Sequence, residues 1–385
     1  MKILFIADVG PTGGANFSLL NLTEVLNRNP SNRVVVLTSG ITSLNKKLEL
    51  LGIENYAVGF QAFMIPGETG ILRLIIKFIP RLLQYYISYR SAIQKVEQVI
   101  NVDEFDIIHT NLNRCDLGAA LARKYSKPHV WHIREFAEED YKCVSLRKNY
   151  IKYMSDNADV YIAISEAVRK AWIEKGIPEA KITKIYNGVS IENIQKSSIE
   201  QKKDKILKII IVGTVCETKG QIQLIKALSR IPEDIKNYIY VDIVGNGKKE
   251  YIRKLRHLIK SFGLSQNINI CGHTDHISEL LKKYQVGIIA SRSEGFGRVT
   301  IEYMMAGLCV IASDTGANQE LVDDEKTGLI YRYNVPDSLA DKIIEIYKDR
   351  EKLIKLSEAG CKNARSNYTA EKNAQKIYEL YQRLW

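Results

Sequence analysis

The sequence predicts an α/β protein built from two doubly wound, Rossmann-like domains facing a cleft. Three observations predict it. Short apolar runs alternate with helical patterns almost throughout, as in βαβ units on a parallel sheet. Most of these runs are apolar on both faces, as strands covered by helices on both sides are. The pattern stops once, at a polar and charged stretch near the middle, and then restarts. At 385 residues the chain exceeds one ordinary core, so two domains of normal size are expected.

In the first domain the strands are read at "KILFIAD", "RVVVLTS", "NYAVGF", "DIIHTN", "HVWHIR", "DVYIAIS" and "ITKIYNG". From Ser190 to Leu207 the text becomes "SIENIQKSSIEQKKDKIL", which ends this domain at 190 and makes 191–207 the linker. "KIIIVGT", "YIYVDIVG", "NINICG", "VGIIAS", "CVIASD" and "GLIYRY" then supply the strands of a second domain, 208–365. Residues 366–385 form a last helix, expected to pack back towards the first domain. Ligands of such sheets bind at the carboxyl ends of the strands.

Hydrophobic residues make up 45% and charged residues 26%, a globular composition that excludes disordered and fibrous classes. The six cysteines form no C-x-x-C pair and sit mostly in apolar runs, so buried, reduced thiols are expected. Met1 leads directly into a strand pattern, which points to a cytoplasmic protein. A net charge of +11 suits an anionic partner. No zinc-ligand spacing, aromatic RNA-binding signature or basic arm is present, which argues against nucleic acid.

The segment "ILRLIIKFIPRLLQYYISYR" (71–90) bears on the membrane. Arg73, Lys77, Arg81, Gln84 and Ser88 recur every three or four residues and Pro80 interrupts the middle, which excludes a transmembrane span. Two arrangements fit equally. An amphipathic helix lies in the interface of an anionic membrane, with Tyr85, Tyr86 and Tyr89 at headgroup depth, or a helix packs on its own domain with basic residues facing water.

The chemistry concentrates in "SEGFGRVTIE" (293–302). A strand ends, glycines turn the chain, and a helix starts near Gly297 or Arg298. A helix start offers unpaired N–H groups and a positive dipole end, and glycine lets a phosphate approach the backbone. Glu294 precedes this anion cradle and Glu302 lies about one turn into the helix. Carboxylates repel phosphate but accept hydrogen bonds from sugar hydroxyls. A ligand with phosphate in the middle and sugars at both ends, a nucleotide sugar, satisfies both.

With Glu, seven residues, Glu in this setting, the segment resembles the signature of glycosyltransferase family 4, retaining enzymes of the GT-B fold that include bacterial polysaccharide enzymes. The resemblance covers most of the chain and continues through "AGLCVIASDTGANQELV" (306–322). It implies Glu302 on the ribose, Glu294 on the donor sugar, and backbone around Gly295, Phe296, Gly297, Arg298 and Val299 on sugar and phosphates. In "VGTVCETKGQ" (212–221) it implies Lys219 gripping the diphosphate. The arginine usual at Thr214 is missing, with Arg292 or Arg298 as substitutes. From "DVGPTGGANFSLLNL" (8–22), Gly13 and Gly14 would border the phosphates. In "HVWHIREF" (129–136), His132 would lie near the transferring sugar, with Arg134 and Glu135 as candidates for acceptor contact. Gly272, His273 and Thr274 would meet the base.

His132, Glu294 and Lys219 are thus the catalytic candidates, on a first domain that takes the acceptor and a second that binds the donor. No metal-ligand set is visible in the sequence and no cofactor is expected. Ser165 also reads as a helix N-cap. The resemblance implies a retaining enzyme moving a hexose, from UDP most readily, to a glycan or lipid-linked acceptor. A nucleotide-sugar epimerase or hydrolase, and a non-catalytic nucleotide-sugar-binding protein, are the alternatives.

Overall fold

The structure, a computed structural model, describes residues 1–8, 13–65, 71–137, 142–191, 194, 205–274 and 276–385; within the helix that opens at Ile71, side chains are described from Phe78 on. Two compact units divide the chain, Met1–Gly188 with Ala370–Trp385, and Val189–Thr369.

The first unit carries β1 (Lys2–Ala7), β2 (Arg33–Thr38), β3 (Glu54–Ala57), β4 (Met64–Ile65), β5 (Ile107–Thr110), β6 (His129–Ile133), β7 (Val144–Ser145), β8 (Val160–Ala163) and β9 (Ile182–Lys184). Seven of these form one parallel sheet in the order β3-β2-β1-β5-β6-β8-β9, while β4 and β7 pair as a small antiparallel ribbon. Successive side chains of a strand point to opposite faces, and β1 buries both. Ile3 and Phe5 pack with Leu19 and Leu22 of the helix Gly14–Asn27 and with Ile377 and Tyr381 of the last helix, Ala370–Leu384. Leu4 and Ile6 pack with Ala92 and Val96 of the helix Ile71–Val99 and with Leu117 and Leu121.

The helix Ile71–Val99 runs past residue 90, with Pro80 inside it, and packs on its own unit, one of the two arrangements expected for 71–90. Tyr85 is fully buried, its hydroxyl donating to Asp116 Oδ2 at 2.5 Å. Arg147 Nε donates to the same oxygen at 2.6 Å, and its guanidinium lies over the rings of Tyr85, Tyr89 and Tyr153 at 5.4, 5.5 and 4.0 Å. That anchor turns Tyr85 and Tyr89 into the unit, away from headgroup depth, and leaves Arg81 and Ser88 half-buried. Outward lie Ile79, Leu83, Tyr86 and Ile87, which are 63%, 59%, 51% and 70% exposed, together with the exposed Gln84 and Arg90. The side chains of Arg73 and Lys77 lie outside the described residues. Among those described, no helix is long and apolar enough to cross a membrane.

The second unit carries β10 (Leu207–Val212), β11 (Ile239–Val244), β12 (Ile268–Gly272), β13 (Val286–Ile289), β14 (Cys309–Ser313) and β15 (Leu329–Tyr331). They form a parallel sheet in the order β12-β11-β10-β13-β14-β15. The sequence therefore fills one flank outward from β10 and then the other, the doubly wound order. Leu207, Ile209 and Ile211 join Leu224, Leu228 and Leu255 in its core. Cys115, Cys143, Cys309 and Cys361 are buried as expected, whereas Cys216 is half-buried and Cys271 is exposed. The reason at Cys271 is position: β12 is the outermost strand, and its alternate residues have nothing packed over them.

Candidate active site

In the second unit the direction of winding reverses between β10 and β13, and in such sheets that reversal opens the ligand crevice at the strand ends. Lys219 follows β10 and Glu294 follows β13. After β10 the chain makes a 3-10 turn, Glu217–Lys219, and enters the helix Gln221–Leu228 through Gly220 at φ +71°. A Cβ at Gly220 would lie 1.8 Å from the Ala290 carbonyl oxygen, so only glycine permits this approach. Arg292 N–H donates to Thr218 O at 2.8 Å, and Gln223 Nε2 to Ala290 O at 3.0 Å. These bonds join the two loops.

Lys219 Nζ lies 2.5 Å from Glu294 Oε1, which also accepts from Ser291 Oγ at 2.7 Å. Behind Glu294, its carbonyl accepts from Ala317 N–H at 2.9 Å, and a Cβ on Gly316 would come within 2.4 Å of that oxygen. The carboxylate is therefore fixed in place while Lys219 remains about a third exposed. One cation and one carboxylate side by side is a device for a ligand carrying both phosphate and hydroxyls.

Gly297, at φ +86°, precedes the helix Arg298–Met305 and leaves its first turn without a side-chain cap. Glu302 Oε1 accepts from Arg298 Nε at 2.8 Å, so Arg298 is engaged with the carboxylate one turn on. Arg292 is exposed beside the loop, and Thr214 is exposed, its carbonyl accepting from Gln221 Nε2 at 3.0 Å. Gly295 and Val299 are half-buried, while Phe296 is buried 6.2 Å from the Tyr368 ring. Gly272, at φ +77°, ends β12 at the same sheet edge. His273 is exposed, and Thr274 Oγ1 accepts from His276 N–H at 3.1 Å.

Sequence reasoning missed Ser291, Gly316 and Tyr303. The Tyr303 hydroxyl accepts from Val212 N–H at 2.7 Å, and its ring occupies the space a Cβ on Gly287 would need. Gly287 inside the apolar run "VGIIA" was the available signal.

In the first unit Gly13 and Gly14 open the helix Gly14–Asn27, exposed and with no side-chain cap; the preceding 9–12, with Gly10 and Pro11, fall outside the described residues. His132 lies near the end of β6, completely buried. Burial, then the nearby Arg134 cation, holds it neutral, far below the usual histidine range. Arg134 and Glu135 turn inward. The Arg134 guanidinium donates to Asn111 Oδ1 at 3.0 Å and Asn187 Oδ1 at 2.5 Å and stands 3.3 Å from His132 Nδ1. Burial lowers it to about 9. Glu135 is held by Arg114 Nε at 2.9 Å. Ser165 accepts from Val168 N–H at 3.1 Å, the N-cap role expected of it. Among the described residues, no cluster of three or more His, Cys, Asp or Glu could hold a metal.

Two Rossmann-like units, the second with an uncapped helix start and a Lys–Glu pair at its switch point, have the architecture of a GT-B glycosyltransferase. Comparison with known proteins agrees. The family model "Glycosyl transferases group 1" matches residues 190–363 and "Glycosyltransferase Family 4" matches residues 12–193. The chain belongs to glycosyltransferase family 4, and it is a glycosyltransferase. It is 27% identical over 355 residues to an uncharacterized glycosyltransferase, MJ1178, of Methanocaldococcus jannaschii, covering 90% of this chain and 94% of that one. It is 25% identical over 385 residues to the UDP-Gal:alpha-D-GlcNAc-diphosphoundecaprenol alpha-1,3-galactosyltransferase of Escherichia coli, covering 91% and 95%. Its fold is that of Anabaena Alr3699/HepE, solved with UDP, at a TM-score of 0.81, 21% identity and full coverage of both chains. The same protein has been solved with UDP-glucose.

Proposed function

We propose that the protein is a retaining hexosyltransferase. It takes the sugar from a nucleoside diphosphate, UDP first among them, and delivers it to a glycan or lipid-linked acceptor in surface polysaccharide synthesis. The observation that carries this is the Lys219–Glu294 pair, 2.5 Å apart at the switch point of the second sheet. Lys219 holds the diphosphate as negative charge builds on the leaving group, Glu294 accepts from a hydroxyl of the sugar, and Glu302 accepts from the ribose. Backbone N–H groups of the first turn after Gly297 take the phosphate oxygens. Similarity to an Escherichia coli enzyme whose name specifies a UDP-sugar and an undecaprenol-linked acceptor supports UDP and a lipid-linked acceptor.

That acceptor class fits work at the cytoplasmic face of a membrane, where the apolar stripe Ile79, Leu83, Tyr86, Ile87 has an occupant. Protection against thermal unfolding by a panel of nucleotides and nucleotide sugars tests the donor. UDP and one UDP-sugar should raise the melting temperature more than the matching GDP compounds; equal or absent shifts across the panel contradict the reading. Release of product without any acceptor would favour an epimerase or hydrolase on the same frame.

A further inference from the structure

The first unit holds a cleft of about 470 Å³ in which three cations meet one carboxylate: Arg123, Lys148, Lys152 and Asp156 line it, between Asn149 and the Tyr153 ring. Arg123 stands in the last turn of the helix Leu117–Tyr125, and the others come from the helix Tyr150–Asp156 and the two residues before it. Asn157, where that second helix ends, accepts through its carbonyl from His129 Nδ1 at 2.6 Å, and His129 begins β6. The cleft therefore lies towards the amino ends of the strands. Ligands of the transfer reaction belong at the carboxyl ends, so these cations serve something else.

Lys152 Nζ pairs with Asp156 Oδ2 at 3.0 Å, an exposed pair four residues apart that stabilises little. Arg123 and Lys148 are exposed and have no carboxylate partner among the described residues, although Lys124, next in the chain, is paired with Glu97. Like charges held at one cleft without a counter-charge repel each other, and an anion placed between them removes that cost. With the Asn149 carboxamide beside them, they suit a phosphate that also carries hydroxyls.

The neighbouring surface indicates what brings the phosphate. Tyr153 carries Arg147 over its ring at 4.0 Å, and the same guanidinium lies 5.4 Å from the Tyr85 ring. Tyr85 in turn stands 5.1 Å from Tyr86. One packed cluster thus joins the cleft to the outward residues of the long helix, Ile79, Leu83, Tyr86 and Ile87, with exposed Arg90 one turn on from Tyr86. Apolar side chains that enter a bilayer and cations that stay at its phosphate level make one contact when they lie side by side.

We propose that the cleft between Arg123 and Lys148 is a headgroup site, which takes the phosphate of an anionic membrane lipid while Leu83, Tyr86 and Ile87 enter the bilayer beside it. The site lies wholly within the first unit. It rests on the membrane contact proposed for the long helix, and adds a selectivity for lipid charge that apolar side chains do not provide.

Co-sedimentation of the full chain with vesicles of phosphatidylcholine alone, and of phosphatidylcholine mixed with phosphatidylglycerol, tests it. The parent should bind the mixed vesicles more tightly. Arg123→Gln with Lys148→Gln should lose about fivefold in affinity for them per cation removed. It should keep its affinity for neutral vesicles and its melting temperature, since neither side chain has an ion-pair partner in the protein to lose. Lys248→Gln with Lys254→Gln, which removes the same charge from the exposed surface of the second unit, should bind nearly as the parent does. Equal losses in the two variants would show that net charge alone acts, and would overturn the site. Inorganic phosphate is the second probe. If it raises the melting temperature of the parent and not of the cleft variant, while both bind mixed vesicles equally, the occupant is a soluble phosphate compound and the lipid assignment fails. A parent that binds mixed and neutral vesicles equally overturns the headgroup site and leaves the apolar contact standing; a parent that binds neither removes that contact as well.

Discussion

Glu302 illustrates how a single residue can be placed by its neighbour before any ligand arrives. Arg298 Nε holds one carboxylate oxygen at 2.8 Å, which orients the other and removes the freedom a solvated glutamate would lose on binding. Glu302→Ala should weaken donor binding by roughly 1–3 kcal/mol, the cost of leaving ligand hydroxyls unpaired; unchanged affinity by calorimetry would remove Glu302 from the ribose. A second residue-scale expectation concerns pH. His109, His129 and His132 are all held neutral by burial, His129 down to about 4. The unfolded chain therefore binds more protons than the folded one below the ordinary histidine value of 6.5. Stability should fall as pH drops from about 6.5 towards 4, by up to roughly 1.4 kcal/mol per pH unit for each histidine, and be flat above that window as far as these groups are concerned. Urea unfolding across pH 4–8 reads the slope; stability that rises as pH falls through the window would contradict the neutral-histidine account.

Among the elements, the loop-to-helix turn at Gly220 and the long helix Ile71–Val99 carry the clearest consequences. Gly220→Ala forces a side chain into left-handed backbone against the Ala290 carbonyl. It should cost about 1–3 kcal/mol or more and displace Lys219; a melting temperature and donor affinity equal to the parent would show that the loops need not approach so closely. On the long helix, Asp116 and Arg147 set which side faces out, and four large apolar side chains, Ile79, Leu83, Tyr86 and Ile87, lie outward there beside Gln84 and Arg90. Membrane attachment should then depend on Leu83 and Ile87 more than on charge, each worth about 1.5–3 kcal/mol if fully buried in the interface. Leu83→Gln with Ile87→Gln should abolish co-sedimentation with liposomes, and added salt should weaken it only partly. Sedimentation unaffected by the pair, or absent in the parent, removes the stripe as a membrane contact.

Across the molecule, what was legible in the sequence is what short-range pattern encodes. Apolar runs alternating with helical spacing located the strands of both sheets, and "SEGFGRVTIE" marked the turn that brings Glu294 and Gly297 to a strand end. The illegible part depends on partners far along the chain. Arg134 reads only as a candidate for acceptor contact, and the bonds that hold it come from Asn111 and Asn187, 23 and 53 residues away. Tyr85 reads as an interfacial aromatic until Asp116 is found on its hydroxyl. Transfer of labelled hexose from a UDP-sugar to a lipid-linked acceptor, compared between the parent chain and Lys219→Ala and Glu294→Gln variants of unchanged fold, tests the central claim most directly. Acceptor-dependent product with the parent, formed with retention at the anomeric carbon and reduced by about a hundredfold or more in each variant, is the predicted result. Acceptor-independent release of sugar, or variants as active as the parent, would contradict it.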